Sequence, residues 1–124
     1  RFSGFSDRIL QEGNTQLVWE AQGDFTHPTG VDAATAFAQL PQSERPEAVF
    51  VTNDEMLMGF TQQAQALGLK IPHDVATVGY DNIPACTKFY PTLSSVRTDN
   101  YELGKQTLNQ LRTLQEHPYD QPGK

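Results

Sequence analysis

The chain has 124 residues, enough for one domain with a real core but little more. Its hydrophobic share of 37% is low, so some apolar faces are expected to need a partner. With 15 acidic against 9 basic residues, the formal net charge of −6 argues against a grip on nucleic-acid phosphates by this segment.

Residues 1–12 place Phe2, Phe5, Ile9 and Leu10 on one helical face, and Gly13 is a stop. Residues 15–21 are β-rich and predict a strand, with Trp19 packing mid-strand. The breakers of 23–30 predict a loop, in which Pro28 opens the next helix. Val31, Ala34, Phe37, Ala38 and Leu40 form that helix's stripe, and Pro41 ends it. A polar connection to Pro46 follows.

The apolar run 48–51 predicts a strand that stops at Thr52-Asn-Asp-Glu55, where a helical pattern starts at once. Met56, Phe60, Ala64 and Leu67 form the apolar face of this helix, and Gly68 caps it. Met56 and Met58 read as core fillers, although Met58 lies off that stripe. Residues 75–80 predict a further strand, closed by Asp81-Asn-Ile-Pro84. A short helix or turn reaches Tyr90-Pro91, and a strand follows over 93–96. A last helix, about 99–115, carries Leu103, Leu108, Leu111 and Leu114. Residues 117–124 are a polar tail without periodicity.

Strands alternating with helices in this order predict an α/β fold. It has three layers, a mostly parallel sheet flanked by helices. Ligands of such sheets bind at the carboxyl ends of the strands, which makes Asn53 the first candidate contact on topology alone. The same residue is equally a helix cap, as is Asp54, which also suits the helix dipole. Asp81 and Asn82 have turn formation before Pro84 as their bland alternative. Cys86 stands alone, which excludes an internal disulfide framework and reads as a small, partly buried thiol. His27, His73 and His117 share no ligand spacing, so no metal site and no cofactor is expected. No apolar run of about 18 residues reads as a membrane span. The chain starts on Arg1 rather than Met and is expected to be a fragment, so the lack of a leader says nothing of a longer protein.

Several motifs then stand in register. They are Arg1-x-x-Gly-Phe5, Ala48-Val-Phe-Val-Thr-Asn-Asp-Glu-Met-x-x-Gly59, Ala66-Leu-Gly-Leu-x-Ile-Pro-x-Asp-Val75 and Val78-Gly-Tyr-Asp-Asn-Ile-Pro84. Pro91-x-Leu-Ser-Ser-Val-Arg97 and Glu102-Leu-Gly104 continue the series. Together they resemble the LacI/GalR family of bacterial transcriptional repressors. The resemblance implies that residues 1–94 are the carboxyl-terminal subdomain of an effector-binding region like a periplasmic sugar-binding protein. Residues 95–97 would cross over, 98–116 would form a helix of the amino-terminal subdomain, and 117–124 a tail or loop. The first strand before Arg1, the strand after Lys124, most of the other subdomain and the DNA-binding headpiece would lie outside this chain.

The resemblance further implies four effector contacts. Arg1 matches an arginine that donates in pairs, and Phe25 an aromatic that stacks on the ligand, its alternative being a plain loop anchor. Asn53 matches an asparagine able to donate and accept, and Asp81 an acidic acceptor. Asn100 departs from the pattern, standing where some sugar-responsive members have an aromatic. A homodimer interface is implied at the start of the 54–66 helix and over 85–90, with Glu55, Met58, Phe89 and Tyr90 as its candidate residues.

The expected function is therefore effector binding and dimerisation in a cytoplasmic regulator. Its effector would be a sugar or sugar derivative, with a purine as the other candidate. Operator DNA would be bound only through the absent headpiece, and no membrane contact is expected. The competing reading is a periplasmic sugar-binding protein of a transport system. An enzyme using Asp54, Glu55 and Asp81 is disfavoured. The chain has no nucleophile elbow, no metal spacing and no phosphate loop.

Overall fold

A computed structural model describes residues 1–117; the tail expected over 117–124 therefore lies almost wholly outside the described residues. Among the described residues four helices and three strands follow in the order α1 (Phe2–Glu12), α2 (His27–Gln39), β1 (Ala48–Phe50), α3 (Asp54–Ala66), β2 (Ala76–Asp81), β3 (Ser95–Arg97) and α4 (Asn100–Glu116). Short 3-10 turns at Gln42–Glu44 and Pro84–Lys88 complete the order. The sheet runs β1-β2-β3 with both pairings parallel, Val49 opposite Thr77 and Tyr80 opposite Val96.

Strand alternation builds the layers. Val49 and Val51 turn one way, into cores that hold Phe37 of α2 and Leu57 and Phe60 of α3. Phe50 turns the other way and meets the Phe5 ring of α1, with centroids 4.9 Å apart. The α2/α3 crossing is tight because two glycines face backbone. A Cβ on Gly30 would overlap the Met56 carbonyl, and one on Gly59 the His27 carbonyl.

Three sequence expectations change. Residues 15–24 form no strand: Leu17 and Val18 are exposed, and only Trp19 anchors the segment, edge-on to Phe37 at 5.6 Å. Its β-rich composition is a local preference, whereas a ladder needs a neighbouring strand. The strand expected at 93–96 is displaced to 95–97, because the Leu93 N–H donates to the Cys86 carbonyl instead of to the sheet. Leu67 leaves the apolar face of α3 and is exposed, since the helix ends at Ala66 and Gly68 turns the chain at φ 85.

β1 has one unpaired edge. The Val51 N–H donates to the Val78 carbonyl and the Glu47 carbonyl accepts from Ala76, so odd-numbered residues face β2. The backbone groups of Ala48 and Phe50 face away, toward a groove lined by Leu17, Trp19 and Phe5, where no described strand pairs with them.

Candidate functional site

The carboxyl ends of β1 and β2 bring the four expected contact residues into two bonded pairs. Arg1, just ahead of α1, donates from Nη1 to the Thr52 carbonyl at 2.8 Å and from Nη2 to Asp81 Oδ1 at 3.1 Å. Its guanidinium lies 4.3 Å from the Tyr80 ring centroid, a cation–π seat. Arg1 and Asp81 are each about a third exposed, and such a half-open ion pair contributes only about 0–1 kcal/mol. Both partners remain reachable from solvent.

The second pair joins Asn53 to the Phe25 loop. Asn53 Oδ1 accepts from the Met56 N–H at 3.1 Å, so the capping alternative is realised. Its Nδ2 donates to the Phe25 carbonyl at 2.9 Å, so the same side chain also holds the loop. One N–H and one lone pair of the amide stay uncommitted. The Phe25 ring is more than half exposed, on a backbone turned to φ 70.

Asp24 supports that turn. Its carboxylate accepts from the Thr26 N–H at 3.1 Å, from the Thr26 hydroxyl, and from the Thr29 hydroxyl at 3.0 Å. These bonds, those from Thr26 foremost, hold its pKa below the ordinary carboxylate value.

Three non-glycine residues have positive φ among the described residues: Phe25 at 70°, Asp81 at 113° and Asn82 at 58°. Two are expected site residues and the third adjoins one. Such conformations cost about 1–3 kcal/mol each and collect at functional sites.

Sequence reasoning missed Tyr80, the Thr52 carbonyl and the Asp24-Thr26-Thr29 scaffold. The Asp-x-Thr spacing before Pro28 was a readable turn signal, whereas Tyr80 under Arg1 depends on tertiary placement. Met58 and Phe89 each pack, half-buried, against the cluster around Leu57 and Cys86, while Glu55 and Tyr90 are exposed. Among the described residues no three His, Cys, Asp or Glu side chains are placed to hold a metal ion, and no helix is long and apolar enough to cross a membrane.

Polar side chains thus gather at the strand ends of a parallel α/β unit, where ligands of such sheets bind, and the terminal helix buries no residue. The chain belongs to the periplasmic binding protein-like domain family, whose model matches residues 1–124. Within that family it is similar to LacI-family transcriptional regulators. The HTH-type transcriptional repressor PurR of Vibrio vulnificus is 38% identical over 107 residues, covering 85% of this chain and 31% of that protein. PurR of Salmonella paratyphi B is 39% identical over 113 residues, covering 90% and 32%. Among solved structures, a LacI-family regulatory protein from Chloroflexus aggregans superposes with a TM-score of 0.85 at 27% identity, over 94% of this chain and 42% of that one. A LacI-family regulator from Lactobacillus casei with bound sucrose gives 0.68 at 27% identity, over 78% and 36%. The chain thus spans about a third of the length of the curated relatives it matches.

Proposed function

We propose that this chain supplies one wall of the effector cleft, and part of the dimer surface, of a cytoplasmic DNA-binding transcriptional regulator. The observation that carries the reading is the strained joint itself. Arg1 and Asp81 meet beside Thr52, Asn53 holds the Phe25 loop, and Phe25 and Asp81 both carry positive φ. Residues 1–94 form this subdomain, 95–97 cross over, and 98–116 belong to the amino-terminal subdomain. Glu55, Met58, Phe89 and Tyr90 face the partner of a homodimer, and no catalysis is involved.

The effector carries hydroxyl or ring-nitrogen groups and a flat face. Arg1 donates to it, Asp81 accepts from it, Asn53 does both with its remaining capacity, and Phe25 stacks on it. A sugar or sugar derivative fits this set, and the sucrose found in the Lactobacillus casei regulator favours it; a purine edge is the other chemistry served. A transport protein would use similar contacts, but the PurR relatives named above favour a regulator. An effector acts only through its differential affinity for open and closed states, and DNA must reciprocally change effector affinity.

The test is to titrate glucose, sucrose and hypoxanthine into the full-length protein, with and without operator selected by that protein from a random pool. One of them is expected to shift operator affinity by about 5–150-fold. Absence of coupling for every compound sinks the reading.

A further inference from the structure

Asp54 follows Asn53 directly but turns inward. It is 1% exposed, and none of its hydrogen bonds comes from a cationic side chain. Oδ2 accepts from the Ile83 N–H at 2.9 Å and from the Cys86 thiol at 3.2 Å, and Oδ1 accepts from the Ser95 hydroxyl at 2.6 Å. Ser95 Oγ also accepts from the Asn82 N–H at 3.0 Å. β2 passes directly over the carboxylate, because a Cβ on Gly79 would overlap Oδ1. Burial, and then the bond to Asp54, push the Cys86 thiol up to about 11, so it remains a donor at neutral pH.

A cap alone does not require this arrangement, since Asn53 already bonds the Met56 N–H. A buried carboxylate served by neutral donors is expensive, and the loss of any donor is felt strongly. Here the donors come from segments with different tasks. Ile83 and Cys86 follow the strained Asp81-Asn82 turn. Ser95 begins β3, whose Arg97 pairs with Asp81 in the ladder and whose chain leads into α4. Asp54, the first residue of the helix behind Asn53, is thus bonded at once to the segment after the Asp81 turn and to the crossover strand.

We infer that Asp54, through Ser95, is a positioning residue that couples the crossover strand to the effector-contact loops. Movement of the crossover chain then reaches Asp81 through Ser95 and Asn82, and reaches Asn53 through the start of α3. The inference rests on the proposed placement of α4 in the other subdomain, but its test needs no effector.

Spin labels at Lys70→Cys and Gln110→Cys in the full-length protein, with other exposed cysteines replaced, report the distance across the cleft. Ser95→Ala should change the open-to-closed population ratio by roughly fivefold or more, within the range of allosteric couplings. Ser95→Thr, which restores the hydroxyl, should return it. Cys86→Ala removes a donor that does not lie on β3 and keeps the carbonyl that accepts from Leu93; it should lower the melting temperature and leave the distances unchanged. Superimposable distances for Ser95→Ala and the parent protein overturn the inference. So does an equal shift in Cys86→Ala, which would mark Asp54 as general core support. Failure of the effector titration with these distance shifts intact would instead count against the functional reading alone.

Discussion

At the residue scale, Asn53 does two jobs with two ends of one amide, and they can be separated. Asn53→Asp keeps the oxygen that accepts from Met56, and gains a charge favourable to the helix N-terminus, but removes the donor to the Phe25 carbonyl. Asn53→Ala removes both. In urea unfolding of the full-length protein the alanine variant is expected about 1–2 kcal/mol below the parent. The aspartate variant is expected about 1–3 kcal/mol below the parent, because a charged oxygen then faces the Phe25 carbonyl in a buried site. Both should lose at least about tenfold in affinity for the compound that the titration identifies, as one freed loop and one lost contact would dictate. Unchanged binding in the aspartate variant would reduce Asn53 to a cap. The loop's other support has a pH limit. With the Asp24 carboxyl depressed below its ordinary value of 3.8, its stabilisation is complete above that pH. It is lost as pH falls through the lower folded value.

At the scale of elements, the α2/α3 crossing decides the sign of a substitution. Glycine in a helix interior costs about 0.8–1.0 kcal/mol relative to alanine, so propensity alone predicts that Gly59→Ala stabilises. The collision with the His27 carbonyl opposes this, and overpacking against backbone costs about 1–3 kcal/mol. A net loss of stability in thermal unfolding is expected; a gain would mean that the helices separate without penalty. The stripes that meet at this crossing were legible: Ala34 and Phe37 on α2, and Met56, Phe60 and Ala64 on α3, are all buried as their spacing predicts. The glycine contacts were not, because which glycine meets which carbonyl depends on how two distant segments cross. Residues 15–21 failed for a related reason: side-chain preference is local, but a ladder partner is not. In the site, the turn signal around Asp24 was present in the sequence, whereas the buried bonds of Asp54 were hidden behind its reading as a helix cap.

At the scale of the whole molecule, two features leave groups uncovered among the described residues. The outer edge of β1 offers unpaired backbone groups to a groove, and α4 leaves Tyr101, Leu103, Leu108 and Leu111 at least half exposed. Scattered exposed leucines are ordinary on a surface, but here they recur along one helix that buries none of its residues. The area rule gives such a face a reason only if something covers it. If α4 packs into the other subdomain, Leu108→Ala in the full-length protein removes a buried side chain and should cost about 2–5 kcal/mol. If α4 remains in solvent, the same change should stay within about 0.5 kcal/mol. Urea midpoints of the two proteins separate these outcomes. The large loss is expected, because a chain with a hydrophobic share of 37% has little reason to place this much leucine on a free helix. A null result would move the subdomain boundary, since residues 98–116 would then be an external arm and β3 would no longer lead into the second half of the cleft.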